Sequence, residues 1–202
     1  IIKQNNKKQK TSFYYSIKNN ESKHDHLVFY LSKGFKLIYN DVRKFGFLKI
    51  LKTKNALISR HLKFLGPEPL SKEFNLNYVI KYVINKKLTI KNLLMNQKFV
   101  SGLGNIYCNE ILFLCRLNPH KIVKSINKKD LVNIVRFTKK ILKVSIMQGG
   151  SSIKNFANAE GKNGNFQQKF NVYNKEKSKC IRKKCSGVIQ KIYTSNRSSF
   201  FC

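Results

Sequence analysis

Apolar and polar residues alternate along much of the first sixty positions, which is the period of a half-buried β-strand. The stretch HLVFYLSKGFKLIYNDVRKFGFLKIL holds two or three such runs. Between the first two stands Ser32-Lys33-Gly34, a sequence typical of a hairpin turn. Residues 1–60 are therefore predicted to form a small, β-rich region.

From Ser71 to Met147 the apolar residues recur instead at helical spacing. A last helix is predicted to begin near Asn127, with Asp130 at capping-box spacing, and to end at Gly149. The apolar stripes are Phe74, Tyr78 and Tyr82; Ile90, Leu93 and Leu94; Ile106, Tyr107, Ile111 and Leu114; and Leu131, Ile134, Val135, Thr138, Ile141 and Leu142.

The helical region is interrupted by Gly102-Leu103-Gly104, and Asn105 opens the next helical run. In one interpretation, glycine lets a phosphate approach the backbone N–H groups at the helix start, and Asn105 adds a side-chain donor. In the other, the glycines form a flexible turn and Asn105 is an ordinary N-cap. This segment alone leaves both open.

The last fifty residues are polar and contain a β-hairpin pattern flanked by cysteines, CIRKKCSGVIQKIYTSNRSSFFC. Cys180, Cys185 and Cys202 are three of the four ligands of a zinc ribbon, since tetrahedral zinc prefers four soft donors. The alternative is a chance grouping of free thiols. Cys108 and Cys115 lie on an apolar helical stretch and are predicted to be small core residues.

The chain carries 41 basic and 9 acidic residues, a net charge of +32. Such an excess favours a polyanionic partner, with nucleic acid first and an anionic membrane surface as the rival. Part of the excess is also explained by the Lys-, Asn- and Ile-rich composition that AT-biased coding favours. No apolar run reaches the roughly 18 residues of a membrane-spanning helix, and no signal peptide is recognised.

Arg43, Lys44 and Phe45 follow a turn in a strand context. An arginine and a phenylalanine together suit a wedge that fills a gap in a base stack while pairing with what remains, whereas the alternative is a solvated strand end with one core aromatic. His24 and His26, in KHDH, are interpreted as phosphate contacts or plain surface rather than metal ligands, because no cysteine lies near them in the sequence.

Together these stretches resemble the bacterial formamidopyrimidine-DNA glycosylases, the Fpg/Nei group. KHDHLVFYLSKGFKLIYNDVRKFG is similar to the family's KHDH…DPRRFG segment, and NQKFVSGLGNIYCNEILF to its helix-two-turn-helix signature. LGPEPLSKEFN, QGGSSIKNF, EGKNGNFQQKFNVY and NRSSFFC match its linker, loop and finger. Val42 and Lys44 depart from DPRRFG, and the first cysteine pair is spaced by four residues instead of two.

The resemblance implies a role for each matching residue. Arg43 and Phe45 would fill the duplex after a damaged nucleotide is flipped out, and Arg197 would grip phosphate and assist the final elimination. The implied DNA contacts are His24, Arg43, Phe45, Lys86, Gly104, Asn105 and Arg197; the implied lesion loop contains Gly161, Lys162, Gly164 and Phe166; and the implied zinc ligands are Cys180, Cys185 and Cys202.

The resemblance further implies an α+β fold: a partial β-sandwich remnant in 1–60, a helix-two-turn-helix domain in 61–150, and a lesion loop with an incomplete zinc finger in 151–202. With most sandwich strands absent, we expect an exposed sheet edge and apolar face that favour aggregation. The chain begins Ile1-Ile2 and ends on a cysteine; we expect it to be a piece of a longer protein.

The implied function is base-excision repair by a bifunctional glycosylase and AP (β,δ) lyase that removes oxidised purines through a Schiff base. The family's N-terminal Pro nucleophile, its neighbouring Glu and its strand Lys have no counterpart in this chain, so we expect no excision by it alone. The alternative is an inactive DNA-binding remnant, and RNA binding is more distant. We also expect one structural zinc ion, damaged duplex DNA as the partner, no membrane, a monomer and a bacterial cytoplasmic location.

Overall fold

The computed structural model describes residues 2–3, 23–151 and 164–202. The chain divides into two compact units. The first contains Ile1–Thr53 and Gln148–Gln168, and the second contains Lys54–Met147 and Lys169–Cys202. The domain boundaries read from the sequence, 1–60, 61–150 and 151–202, stay a prediction.

A three-stranded antiparallel sheet forms the first unit, in the order β1-β3-β2. Its strands are β1 (Ile2–Lys3), β2 (Asp25–Leu31) and β3 (Phe35–Asn40). One 3₁₀ turn at Ser32–Gly34 joins β2 to β3, with Lys33 and Gly34 at positive φ, so the predicted hairpin is confirmed. The third apolar run, after Phe45, forms no regular element up to Lys52.

The register of β2 and β3 gathers apolar residues on one face, because side chains alternate along a strand. Leu27 lies opposite Tyr39, and Phe29 lies opposite Leu37. Leu27, Phe29 and Leu37 are each about 40% exposed. The predicted exposed apolar face is therefore present among the described residues, and the aggregation expected from it stays a prediction.

Four α-helices build the second unit. They are α1 (Leu76–Val83), α2 (Ile90–Met95), α3 (Asn105–Cys115) and α4 (Lys128–Met147). Asn75 caps α1 by accepting from the N–H of Tyr78, and Asn127 accepts from the N–H of Asp130, 2.8 Å away, at the start of α4. No helix in the described ranges is long and apolar enough to cross a bilayer.

The helical core is apolar and aromatic, as the stripes predict. Ile90, Leu94, Ile111 and Ile134 are almost fully buried. Phe74 is buried too, but it precedes α1 and does not belong to it. An aromatic cluster surrounds Phe99 and comprises Phe74, Tyr78 and Tyr82.

A two-stranded hairpin, β4 (Gln190–Thr194) and β5 (Arg197–Phe201), ends the second unit. Its two-residue turn places Ser195 and Asn196 at φ 47° and 59°, the left-handed values of a type I′ turn, which suits the twist of a hairpin. A small core, made of Phe113, Val172, Cys180, Ile189 and Phe200, joins the hairpin to α3. The α+β fold with a C-terminal cysteine cluster is thus confirmed.

Candidate nucleic-acid interface and metal centre

The glycine turn between α2 and α3 is braced from inside by Gln97. Its Oε1 accepts from the N–H of Gly102 at 2.7 Å, and its Nε2 donates to the carbonyl of Leu103 at 3.0 Å. Gly102 has φ +81°, which a side chain adopts only with strain. The turn is therefore a fixed structure.

Helix α3 begins with Gly104 as its N-cap residue, and no side chain in the described part of the chain caps it. The prediction that Asn105 caps this helix is wrong, because Asn105 is the first helical residue. The first N–H groups of a helix have no partner within it and attract anions. The side-chain amide of Asn105 does not cap them.

That amide bonds to the finger. Asn105 Nδ2 donates to the carbonyl of Ser198 at 3.0 Å, and Asn109, one turn later, donates to the same carbonyl at 3.4 Å. Asn109 Oδ1 also accepts from the N–H of Phe200 at 2.8 Å. These bonds hold the start of α3 beside β5, whose first residue is the exposed Arg197. Asn105 and Arg197, predicted together as DNA contacts, thus belong to one junction.

Beneath this junction lies Lys91, which reasoning from the sequence missed. Its side chain is 1% exposed, and its Nζ donates to Asn109 Oδ1, the carbonyl of Ser198 and Ser199 Oγ at 3.0, 3.3 and 3.1 Å. Burial lowers the pKa of Lys91 to about 8. The sequence signal that could have indicated its burial is its position in α2, directly after Ile90 and three residues before Leu94, both of which are core residues.

The predicted wedge lies on a loop organised by Asp41. The Asp41 carboxylate accepts from the N–H groups of Arg43, Lys44 and Gly46 at 3.0, 2.9 and 2.7 Å. The Gly46 N–H is the main reason that the pKa of Asp41 is lowered. A Cβ on Gly46 would lie 2.1 Å from Tyr39 Oη, so any larger residue here would have to displace the Tyr39 side chain.

The guanidinium of Arg43 lies over the ring of Phe45, 4.5 Å from its centre, and that ring is 76% exposed. Arg43 and Phe45 thus form an exposed cation–π pair on this loop. His24, predicted as a phosphate contact, accepts at its backbone carbonyl from the N–H of Asp41. Arg43 and Phe45 thus share the loop after β3, and His24, just before β2, is hydrogen-bonded to the Asp41 that organises this loop.

The remaining predicted DNA and lesion-loop residues lie elsewhere. Lys86 is exposed after α1, with its Nζ 5.4 Å from the centre of the Tyr82 ring. Gly164 packs so closely that a Cβ would lie 2.2 Å from the carbonyl oxygen of Gly150, and Phe166 is buried. The other two lesion-loop residues, Gly161 and Lys162, lie outside the described residues.

Cys180, Cys185 and Cys202 place their Sγ atoms within 4.8 Å of one another. A Cβ on Gly187 would lie 2.7 Å from Cys202 Sγ and 3.4 Å from Cys185 Sγ, so the glycine leaves room around the thiols. The Gly187 N–H is the main cause that lowers the pKa of Cys185. Three thiols around such a cradle fit a soft cation, and they are compatible with zinc.

The finger is tied to α3 by two further groups. The buried Glu110 carboxylate accepts from Asn171 N, Asn171 Nδ2, Val172 N and Tyr173 N at 2.7–3.0 Å. Arg182, in the loop between Cys180 and Cys185, lies over the Phe113 ring and donates to the Phe113 carbonyl near the end of α3. The cysteine cluster and the glycine turn thus lie at opposite ends of one helix.

Residues 65–157 match the family model described as the formamidopyrimidine-DNA glycosylase H2TH domain. A formamidopyrimidine-DNA glycosylase of Rickettsia canadensis is 39% identical over 180 residues, which is 89% of this chain and 65% of that protein. This chain therefore spans about two thirds of the length of its curated relative.

Solved structures agree with the sequence comparison. The complex of Lactococcus lactis Fpg with abasic-site DNA matches 93% of this chain and 68% of that one, at 34% identity and a TM-score of 0.81. MutM in complex with DNA containing carbocyclic 8-oxo-G matches 93% of this chain and 67% of that one, at 35% identity and a TM-score of 0.81. On these matches, the chain belongs to the formamidopyrimidine-DNA glycosylase family.

Proposed function

We propose that the chain acts in base-excision repair, as part of a DNA glycosylase and AP (β,δ) lyase that removes oxidised purines from duplex DNA. Similar solved proteins hold DNA with an abasic site and with an 8-oxo-G analogue, and both are lesions that such an enzyme meets. In this function the chain carries out the recognition steps: it binds the DNA backbone, fills the gap in the base stack and holds the zinc finger in place.

The hydrogen bond from Asn105 to the Ser198 carbonyl is the observation that carries this proposal. It sets the uncapped start of α3 beside Arg197, although the two segments are far apart in sequence. Helix N–H groups and a guanidinium are both donors that prefer phosphate oxygens. One backbone phosphate would be held between them, with Arg197 placed to assist the elimination of the cleaved strand.

The loop ordered by Asp41 supplies the second part of the proposal. Flipping a nucleotide out of the duplex leaves a gap, and an inserted side chain keeps that gap from closing. Phe45 is exposed and stacked on Arg43, so it would enter the base stack while the guanidinium bonds to the base left unpaired. His24 would contact the backbone nearby.

Zinc is the metal proposed for Cys180, Cys185 and Cys202. A bound zinc ion would cross-link the loop that carries Arg182 to the end of β5. Since Arg182 contacts the end of α3, this cross-link would also fix the finger against the helix that begins at the clamp. Its role is structural.

Binding of short duplexes tests the proposal. Affinity for a duplex with one tetrahydrofuran abasic site should exceed affinity for the undamaged duplex and should fall steeply with salt. Arg197→Ala should weaken binding to the lesion duplex by about tenfold, as expected for a charge-assisted contact. Arg136→Ala removes the same charge from an exposed position on α4 and should cost much less. Equal losses for both variants would refute the assignment of Arg197.

DNA binding without base release is the second candidate. It is favoured by the length comparison, because the chain spans only 65% of its Rickettsia canadensis relative. Incubation of the 202-residue chain with a duplex that contains 8-oxoguanine distinguishes these two candidate functions. Released 8-oxoguanine would support excision by this chain, and tight binding with no release would support the second candidate.

A further inference from the structure

Lys91 is a buried cation whose hydrogen-bond partners among the described residues are all neutral. Its three acceptors are an amide oxygen, a backbone carbonyl and a hydroxyl. A buried ammonium without an anion is costly, and a hydrophobic residue at this place in a helical core would normally be more stable. Its presence suggests that an anion arrives from outside.

The acceptors of Lys91 are also the parts of the clamp. The Ser198 carbonyl receives hydrogen bonds from Lys91 and from Asn105, and Asn109 Oδ1 receives them from Lys91 and from the Phe200 N–H. The Lys91 ammonium is therefore hydrogen-bonded to the same groups that connect the start of α3 to the start of β5. A phosphate held by Asn105 and Arg197 would be the nearest negative charge.

Within the part of the chain that the structure describes, the ionisable groups around Lys91 do not supply this charge. Cys108, from α3, has a thiol whose pKa burial raises to about 12, so it is neutral. Arg197, from β5, is positive and disfavours the ammonium. Ser199 Oγ donates to Thr194 Oγ1, which lies 3.3 Å from His120 Nε2 on the loop after α3. A histidine side chain supplies no negative charge.

We propose that Lys91 is a positioning residue of the phosphate clamp and that the bound DNA phosphate is its counter-ion, so that DNA binding is coupled to protonation of Lys91. This rests on the proposed DNA-binding function and deepens it. A neutral Lys91 would lose its favourable interaction with the phosphate and its hold on the Ser198 carbonyl. Binding would therefore weaken as Lys91 loses its proton.

The sign and size of the effect follow from linkage. Free protein has its Lys91 pKa at about 8, and a neighbouring phosphate raises that pKa towards the ordinary lysine value. Wild-type protein should therefore take up a proton on binding above pH 8. Its affinity should fall by about tenfold between pH 7 and pH 9. This is close to the largest change that one group with a free pKa of about 8 can produce over this pH range.

The test measures the affinity of the full 202-residue chain for a tetrahydrofuran duplex at pH 7, 8 and 9 and at constant salt. Lys91→Met should bind more weakly at pH 7 and should show no more than a twofold change with pH. Two control variants should keep the wild-type slope. Lys139→Met removes a lysine whose Nζ donates to the Ser71 carbonyl, and His120→Gln removes the imidazole that contacts Thr194. A Lys91→Met slope equal to that of the wild type would overturn the proposal.

Calorimetry in buffers of different ionisation heat gives a second readout that needs no variant to fold. At pH 8.5 the wild type should take up about three quarters of a proton per complex, and an uptake near zero would refute the coupling. A chain that binds damaged and undamaged duplexes equally, but with this proton uptake, would refute the proposed repair function and retain the role of Lys91. A chain that binds neither duplex would refute both the proposed function and the role of Lys91.

Discussion

The side-chain amide of Asn105 and the carbonyl of Ser198, 93 residues apart, are joined by a hydrogen bond of 3.0 Å. The bond attaches the glycine turn to the finger. Asn105 does not cap its own helix because it is the first helical residue and Gly104 holds the N-cap position. An asparagine at this position instead joins the start of α3 to β5.

Asn105→Ala should weaken DNA binding by about five- to tenfold, because one hydrogen bond contributes about 1 kcal/mol and the Ser198 carbonyl loses a donor. Fluorescence anisotropy with several duplex sequences measures this. The loss should be similar for all sequences, since phosphate contacts carry no sequence information. Asn77→Ala, on the exposed face of α1, is the matched control and should bind normally. A sequence-dependent loss would contradict a phosphate clamp.

Gly46→Ala should disturb the wedge loop, because the new Cβ would lie 2.1 Å from Tyr39 Oη and 3.0 Å from Asp41 Oδ2. We expect the preference for a lesion duplex over an undamaged one to decrease several-fold. Tyr39→Phe removes the hydroxyl that clashes, so the double variant should recover part of this preference. If the double variant is as impaired as Gly46→Ala, the steric explanation is wrong.

The loop should also depend on acid pH. The pKa of Asp41 is lowered in the folded protein, mainly by the Gly46 N–H. Its contribution is therefore present above the ordinary aspartate pKa of 3.8 and is lost as the pH falls through the lower folded value. NMR of the Gly46 amide should show this transition. Asp41→Asn should abolish it, and a transition that persists in that variant would assign it to another group.

Gly187→Ala should reduce zinc affinity. The added Cβ would lie 2.7 Å from Cys202 Sγ, which is too close for the thiols to keep their positions around an ion. Competition with a chromogenic chelator measures the change, and we expect at least a tenfold loss, the size of effect seen when groups beside metal ligands are altered. The neighbouring exposed Ser186→Ala provides the control. Equal zinc affinity in both variants would argue against a metal at the three thiols.

Glu110→Gln should destabilise the junction of α3 with the finger. The carboxylate accepts four hydrogen bonds from Asn171, Val172 and Tyr173, whereas an amide has one oxygen and turns an NH₂ group towards donors. We expect a loss of about 2–4 kcal/mol in the free energy of unfolding. Chemical denaturation checks the value. Glu68→Gln, in the linker, should change stability by less than about 0.5 kcal/mol.

Much of the fold was predictable because the signals are local. Alternation gave the β2–β3 hairpin, and helical spacing with Asn127 and Gly149 gave the limits of α4. The family resemblance could be read from short motifs such as GNIY, and the comparisons with known proteins confirm it. Periodicity predicts such elements well because it reflects which face of each element is buried.

The contacts that the sequence did not predict are hydrogen bonds between polar atoms that lie far apart along the chain. Lys91, Asn109 and Glu110 were given no role of their own from the sequence, yet each is about 1% exposed. Their partners on β5 and in residues 171–173 lie 61 to 108 residues away, and no local pattern predicts a pairing at that distance. The sequence by itself determined most of the elements, the group of three cysteines and the family. Tertiary structure alone decided that a buried lysine underlies the junction of α3 with β5, because only packing removes water from a charge and makes its partners matter.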